Sequence, residues 1–464
     1  MKLDLKWQVL GIICAGIFIS TLDSSILNIA NPIIGADLSV TMNQVQWVTT
    51  SYMLVITATL LFFGKFGDQI GRQKVFAYGF LVFTCGSLLC SLSATISYLI
   101  SSRVIQAFGA SMMMATGVGI ISNSFPDSEK GKALGLTGSM VGIGNMAGPV
   151  VGGFILARFG WPFIFLVNVP IGLLGFYLAL KNLPSQPVSL ETGRYDPVGM
   201  LLFALGSVLL LLALAYNNAA TPAIAVTALI ILISFCFYEK QQPFPMLDFA
   251  LFKVKAFLYG NVMIFLAYIS QIWVMFLIPF YMEDFMHLTP QIMGLYMTIP
   301  PVCLAVTAPL TGSLSDRIGS GRLTSIGLFL MTLSHLSFSA LSSGSSNWKM
   351  VAGLLLIGIG MGFFSSPNSS SIFRSVPVEK AGYTGGFTAT TRNFSVSLGI
   401  AVSASIFTYV LNLQQAVNPN TAYMASMGIV FKISAFITLC GLLLSIFSSS
   451  SRTVDSRPLI LENE

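Results

Sequence analysis

The chain has 464 residues, of which 55% are hydrophobic and 9% are charged, and its mean hydropathy is +0.81. Because a soluble globular protein carries roughly a quarter charged residues, this composition excludes an ordinary soluble domain and indicates a multi-pass membrane protein. The net charge of +6 does not indicate a nucleic-acid partner, because nearly all basic residues fall on alternate connections between apolar stretches. That asymmetry predicts cytoplasmic termini, and we expect the protein in the plasma membrane.

Fourteen apolar stretches are long enough to cross about 30 Å of hydrocarbon as helices. The first is too long for a signal peptide and lacks a cleavage site, so we expect it to be retained. The predicted spans cover residues 8–30, 45–64, 75–95, 98–122, 132–156, 161–181, 197–217, 222–239, 258–282, 291–313, 322–342, 349–372, 383–411 and 426–449.

The first span contains one acidic residue, Asp23. A carboxylate in hydrocarbon is costly, and such residues usually face an aqueous pathway, where they bind protons or cations. We therefore predict a transporter in which Asp23 faces water and takes part in proton coupling. The alternative is a packing residue that is hydrogen-bonded to neighbouring Ser or Asn side chains.

The connection after the second span, residues 64–72 (GKFGDQIGR), is echoed by residues 312–319 (GSLSDRIG) at an offset of 248 residues. Two halves related in this way are the parallel repeat of the major facilitator fold. The sequence thus predicts an all-α integral membrane protein with 14 transmembrane helices in a 6+2+6 arrangement. Its predicted parts are a six-helix half at 1–182, linkers with two inserted helices at 183–257, a second half at 258–450 and a cytoplasmic tail at 451–464.

The fourth span contains residues 103–110 (RVIQAFGA), and the fifth contains glycines spaced four residues apart, with Pro149 among them. Small residues at this spacing let another helix approach closely, and a proline within a span removes a backbone hydrogen bond. We interpret the fifth span as a bendable, tightly packed hinge. Ordinary helix packing is the alternative.

Together the motifs resemble the drug:proton antiporter family of the major facilitator superfamily, in its fourteen-helix, multidrug efflux form. Residues 22–30 (LDSSILNIA) with Pro32 are similar to the family's LDxTIVNVALP, and residues 103–110 to RxxQGxGA, with Ala107 in place of the usual Gly. The resemblance implies export in exchange for protons by alternating access. It also implies a conformational gating role for Gly64, Asp68, Gly71, Arg72, Gly144, Gly148, Pro149, Gly152, Gly153, Asp316 and Arg317.

A second charged residue lies at a matching depth in the membrane. Asp23 is about 22 Å from the cytoplasmic end of its span, and Arg103 is about 8 Å below the outer surface, so the two are predicted to pair across the central cavity. A nearby guanidinium favours the ionised carboxylate, whereas burial favours the neutral acid. Alternating access would change the balance, and protonation of Asp23 would then discharge a cationic substrate.

The spans of the second half contain no embedded acid, although Arg392 lies deep in the thirteenth. We predict monovalent lipophilic cations or zwitterions as cargo, because aromatic faces bind cations and methionine surfaces adapt to varied ligands. For Arg392, a salt link to helix ends or to an anionic substrate group is considered. The candidate substrate-binding residues are Trp47, Tyr52, Met112, Asn145, Phe276, Tyr281, Tyr296 and Arg392.

Other classes of protein lack support in the sequence. The spans show no paired carboxylates, no metal-ligand set and no nucleophile with a base, so neither an enzyme nor a metal site is predicted. No phosphate loop occurs. We expect no cofactor and a proton gradient as the energy source. The expected partners are the lipid bilayer and small amphipathic substrates, and the expected oligomeric state is a monomer. An exporter of a specific metabolite, glycolipid or tetracycline-type compound is the close alternative. A membrane receptor or scaffold is the distant one.

Overall fold

A computed structural model describes residues 4–184, 196–215, 221–242, 247–342, 344–377, 380–414 and 419–450. The predicted tail at 451–464 and parts of both predicted linkers lie outside the described residues. Within the described part the chain is helical, with no strand. The helices are α1 Leu5–Asp37, α2 Met42–Ile70, α3 Arg72–Ser91, α4 Ile96–Ser124, α5 Asp127–Phe159, α6 Pro162–Leu166, α7 Asn168–Asn182, α8 Pro197–Ala215, α9 Thr221–Glu239, α10 Phe249–Phe252, α11 Lys255–Asp284, α12 Pro290–Ile318, α13 Ser320–Ser339, α14 Asn347–Arg374, α15 Ala381–Gln414 and α16 Pro419–Ser450.

The all-α membrane fold is confirmed. Eleven helices in the described ranges are long and apolar enough to cross a membrane. Each predicted span overlaps a described helix, and the span at 161–181 is divided into α6 and α7 at Val167. The end of the bundle at which α1 finishes is called the far end.

Local sequence accounts for where several helices begin. At the start of α2, the backbone N–H of Thr41 donates to Gln44 Oε1 at 3.0 Å in a capping box, which satisfies groups that a helix start leaves unpaired. At the start of α4, the Thr95 side chain accepts a hydrogen bond from the Tyr98 N–H at 3.3 Å. The polar residues between spans therefore set the helix boundaries.

The two repeated connections have the same backbone geometry. Gly71 separates α2 from α3 with φ of 105°, and Gly319 separates α12 from α13 with φ of 90°. These angles favour glycine because a side chain would be strained there. Both following helices are 20 residues long, as expected for repeated units.

The halves meet through α5 with α12 and through α2 with α15. A methyl group at Gly153 on α5 would lie 2.7 Å from the carbonyl oxygen of Pro290 on α12, and Gly294 lies against the Pro149 carbonyl. At the other contact, Thr408 donates to Asn43 Oδ1 at 3.1 Å. All these residues lie near the far end, so the structure shows the two halves packed together there.

The inserted helices α8 and α9 pack on each other, and α8 also touches α2 and α15. Leu211 of α8 shares a small apolar cluster with Leu54 and Ala401. The outer face of α9 is exposed and apolar, including Val226, Ile230 and Phe237. This face suits contact with lipid, since hydrocarbon is as apolar as these side chains.

Candidate functional site

Asp23 lies inside the N-terminal half and is 2% exposed. Its carboxylate accepts three hydrogen bonds from two other helices. Arg103 Nη1 donates to Oδ2 at 2.5 Å, while Gln106 Nε2 and Asn168 Nδ2 donate to Oδ1 at 2.8 and 2.7 Å. A buried charge is tolerated when it is paired and hydrogen-bonded in this way.

Arg103 is held in place from several directions. Arg103 and Gln106 are three residues apart on α4 and therefore share one face of the helix. Arg103 Nη1 donates to Gln106 Oε1 at 2.5 Å, Nε donates to the Val48 carbonyl at 3.1 Å, and the guanidinium lies 3.9 Å from the Tyr52 ring centre. The guanidinium is thus oriented by α2 and α4 together.

Gln106 links the ion pair to a further helix. Its Nε2 also donates to Ser87 Oγ on α3 at 2.8 Å, and both residues are fully buried. Four helices therefore contribute to the network around the Asp23 carboxylate, namely α2, α3, α4 and α7. Because each member is fixed by at least one other, the network holds the ionised form of Asp23 in a single arrangement.

This placement corrects two expectations. Asp23 was expected to face water, yet in this conformation its side chain faces neither water nor lipid. The structure brings Asp23 and Arg103 together, as their matching depths indicated, but within one half and not across the central cavity. The reason is that α4 and α7 supply donors on the side of α1 that faces away from the second half. A proton-coupling role for the pair stays a prediction.

The glycines of α5 form the packing surface for α1. A methyl group at Gly152 would lie 2.9 Å from Ile26, and Gly144 and Gly148 lie against Thr21 and Ser25. The two helices run in the same direction, since the residue numbers of the contacting positions increase together along α1 and α5. This close approach places α5 directly behind the segment of α1 that carries Asp23.

Pro149 creates a specific need in that interface. Proline has no N–H, so the carbonyl four residues earlier, that of Asn145, loses its helical donor. Ser25 Oγ donates to that carbonyl at 2.9 Å across the interface. A neighbouring hydroxyl thus satisfies the backbone where water is absent, as the membrane requires.

Replacing Ser25 with alanine is expected to lower the stability of the protein by about 1–3 kcal/mol, because it leaves the Asn145 carbonyl buried without a donor. Thermal unfolding in detergent measures the loss. Ser24→Ala is the matched control, since Ser24 Oγ donates to Ser20 O within its own helix and its other side-chain contact is with Tyr52 of α2, away from the Asn145 carbonyl. An unfolding temperature equal for the two variants would contradict the role assigned to Ser25.

The other predicted gating residues occupy different environments. A methyl group at Gly64 would meet nothing within 4 Å, whereas the Arg72 guanidinium lies against Gly119 of α4. Arg317 is exposed. The side chains of Asp68 and Asp316 lie outside the described residues, so the predicted latch through them stays a prediction.

The predicted substrate-binding residues do not form one group. Phe276 and Tyr281 are buried in the main apolar core, and the Tyr281 hydroxyl donates to the Ser342 carbonyl at 2.8 Å. Trp47 packs beside α8 and α15, and Tyr52 covers Arg103. The remaining four are partly exposed: Met112, Asn145, Tyr296 and Arg392.

Arg392 lies over the ring of Tyr268 on α11, with 6.0 Å between guanidinium carbon and ring centre. No carboxylate within ion-pair distance of Arg392 is found in the described ranges. A partly exposed cation beside an aromatic face is suited to bind an electron-rich group of a ligand. Both explanations considered for Arg392, a salt link to helix ends and an anionic substrate group, stay predictions.

Sequence reasoning gave no role to Gln106, Ser87 and Asn168, which complete the acid site. Gln106 was part of a quoted motif, and Ser87 carries no signal of its own. Asn168 carried a usable signal, because an amide inside an apolar span is costly unless it has a polar partner. In the described part of the chain, no group of three or more metal-ligating side chains occurs.

Comparison with protein-family models matches the Major Facilitator Superfamily over residues 13–400 and 260–458. The chain belongs to the major facilitator superfamily. Among curated superfamily relatives, the riboflavin transporter RibZ of Clostridioides difficile is 46% identical over 443 residues, covering 95% of this chain and 97% of RibZ. The tetracenomycin C resistance and export protein of Streptomyces glaucescens is 27% identical, covering 85% and 75% of the two chains.

Solved structures share the superfamily fold. The peptide transporter POT in complex with sulfate has a TM-score of 0.72 at 14% identity, covering 96% of this chain and 95% of that one. A bacterial homologue of the lysosomal transporter Spinster has a TM-score of 0.71 at 14% identity, covering 99% and 100%. This major facilitator is therefore a multi-pass membrane transporter and not an enzyme.

Proposed function

We propose that this protein is a proton-coupled antiporter of riboflavin or of a similarly planar, uncharged heteroaromatic compound. The observation that carries the proposal is that Asp23, the acid deep in the spanning helices, is already neutralised by Arg103 at 2.5 Å. The buried pair can therefore bind the coupling proton, and it leaves no free carboxylate for a cationic cargo.

The distribution of acids supports an uncharged cargo. Apart from Asp23, every acidic residue in the helices lies within three residues of a helix end. A lipophilic cation at the membrane midplane would therefore meet no counter-charge, and protonation of Asp23 would add the unbalanced charge of Arg103. This argues against the monovalent cations predicted from the sequence.

The surroundings of Arg392 support a ligand with an electron-rich ring edge. Its guanidinium offers N–H donors in a plane, and carbonyl oxygens on a ring edge are suitable acceptors. Tyr268 beside it supplies an aromatic face for stacking. The dione edge of an isoalloxazine ring has this chemistry, and the relative that is 46% identical, RibZ, is a riboflavin transporter.

The coupling mechanism would use the packing described above. The far end is closed in this conformation by α5 with α12 and α2 with α15. Opening that end and closing the other would move α1 against α5 and change the access of Asp23 to water. Asp23 would then take up a proton from one side of the membrane and release it to the other. We place the protein in the plasma membrane as a monomer with both termini in the cytoplasm.

The test uses purified protein in liposomes with an imposed pH gradient. Labelled riboflavin is expected to accumulate in vesicles with an acidic interior, because antiport exchanges luminal protons for cargo irrespective of the protein's orientation. A lipophilic cationic dye is the comparison compound and is expected not to accumulate above protein-free vesicles. Transport of the dye without riboflavin would contradict the proposed cargo, and accumulation only with an acidic exterior would contradict antiport.

A second candidate is export of amphipathic drugs. The observation that favours it is the set of relatives named for drug resistance or drug transport, including the tetracenomycin C resistance and export protein and the multidrug transporter protein MdtP of Bacillus subtilis, which is 26% identical with 86% and 74% coverage. Under this alternative the same experiment gives dye accumulation, so one assay separates the two candidates.

A further inference from the structure

Asn168 is fully buried, and within the described residues only one of its two polar side-chain atoms makes a hydrogen bond. Its Nδ2 donates to Asp23 Oδ1 at 2.7 Å, while its Oδ1 accepts no hydrogen bond from the described residues. Buried amide oxygens are nearly always satisfied, so an unpaired one calls for a specific explanation. The residue begins α7, directly after the break that separates α6 from α7.

Protonation changes what the Asp23 carboxyl needs. The ionised form only accepts hydrogen bonds, and its three present partners are all donors. A protonated carboxyl acquires an O–H, which is costly to bury unless an acceptor lies within reach. The network as it stands satisfies the ionised form and offers no acceptor to the neutral one.

Of the two amides beside Asp23, only Asn168 is free to turn over. Gln106 is committed at both ends, since Oε1 accepts from Arg103 and Nε2 donates to Ser87. Asn168 makes a single hydrogen bond, and rotation of its amide by half a turn exchanges Nδ2 for Oδ1. The oxygen would then lie about 2.7 Å from Asp23 Oδ1, the usual length of an O–H···O hydrogen bond.

We infer that Asn168 is a positioning residue for the coupling proton: its amide donates to ionised Asp23 and, after rotation, accepts from protonated Asp23. The inference rests on the proposed proton coupling at Asp23 and is independent of the cargo. The same side chain thereby hydrogen-bonds to both protonation states of Asp23. Its rotation transmits the change in protonation from α1 to α7.

The other groups around Asp23 do not supply this acceptor. The charged or titratable residues that face it are Arg103 from α4, Tyr52 from α2 and Cys90 from α3. Arg103 has no acceptor atom, Cys90 Sγ is directed to Gln106 Oε1 at 3.7 Å, and Tyr52 places its ring on the Arg103 guanidinium. From the remaining neighbours, α5 faces α1 with glycines, while α11 and α12 contribute apolar side chains of the shared core.

The experiment is infrared difference spectroscopy of the purified, reconstituted protein titrated with acid, without cargo. The C=O band of protonated Asp23 is identified by its absence in Asp23→Asn. In Asn168→Leu we expect this band at higher frequency, because the carboxyl loses a hydrogen bond, and a displaced titration midpoint. Proton-driven accumulation of riboflavin in the same variant should fall by at least about tenfold, the effect of losing one hydrogen bond to a charged group.

Asn168→Ser is the second variant, because a hydroxyl both donates and accepts and is expected to restore part of the band position and of the pH profile. Asn31→Leu removes a buried asparagine that donates to Thr49 Oγ1 instead and should leave the band unchanged. An Asp23 band that titrates identically in wild type and in Asn168→Leu would overturn the inference alone. A wild-type protein with no Asp23 band at any pH would overturn it together with the proposed coupling, whereas failure of riboflavin transport would not affect the spectra.

Discussion

Asp23→Asn is expected to abolish proton-driven accumulation of cargo, because the amide cannot exchange a proton at that position. Counterflow, in which labelled and unlabelled cargo exchange without a gradient, should persist at a measurable rate if the variant folds. The measurement is cargo accumulation in acid-interior liposomes beside counterflow in the same preparation. Full accumulation by the Asp23→Asn protein would contradict the coupling role of Asp23.

The same substitution has a cost in stability that needs its own control. Removing one partner of a buried ion pair leaves the other charge uncompensated, at about 3–5 kcal/mol, and Arg103 is 0% exposed. The double variant Asp23→Asn with Arg103→Met removes both charges and should recover much of the unfolding temperature lost by Asp23→Asn. It should remain uncoupled, which separates loss of stability from loss of proton transfer. A double variant no more stable than Asp23→Asn would show that the pair carries little coupling energy.

Gly153→Ala is expected to reduce transport by an order of magnitude or more by holding the far end open. The added methyl group would lie 2.7 Å from the Pro290 carbonyl oxygen, closer than carbon and oxygen normally approach, so α12 has to move away from α5. Initial transport rates in liposomes measure the effect. Labelling of a cysteine introduced at Gln291 by an impermeant maleimide should increase at the same time.

Gly142→Ala is the matched control on the same helix. A methyl group there meets nothing within 4 Å, and alanine favours a helix over glycine by about 1 kcal/mol. Transport should be unchanged, and stability should be equal or higher. If Gly153→Ala transported as well as Gly142→Ala, close packing of α5 on α12 would not be needed for the transport cycle.

Much of the fold could be read from the chain because the membrane restricts the choices. A span must satisfy its own backbone, so each long apolar stretch had to be a helix, and the echoed loops at 64–72 and 312–319 indicated two related halves. The division of the sixth span into α6 and α7 was not predicted, because residues 161–181 are mostly apolar and Asn168 is the one polar interruption beside Val167.

The acid site was only partly predictable. Asp23 and Arg103 stood out because charges are rare in spans, and their depths follow from the rise of a helix. Which side of α1 carries Asp23 depends on how α3, α4 and α7 pack around it, and sequence spacing does not encode this. In this conformation Asp23 is therefore buried and does not face water as expected, and the amides of Gln106 and Asn168 acquired a role only when their distances to the carboxylate were known.

Composition, charge and spacing identify a helical membrane transporter with a charged pair at one depth and a glycine-lined fifth span. Helix packing, in contrast, seals the pair within one half, brings Ser25 to the carbonyl opened by Pro149, and places the α5 glycines against α1 on one side and α12 on the other. The difference arises because the free energy of placing an apolar or charged side chain in the membrane depends mainly on that residue alone. Hydrogen bonds and close packing, in contrast, depend on which helices become neighbours.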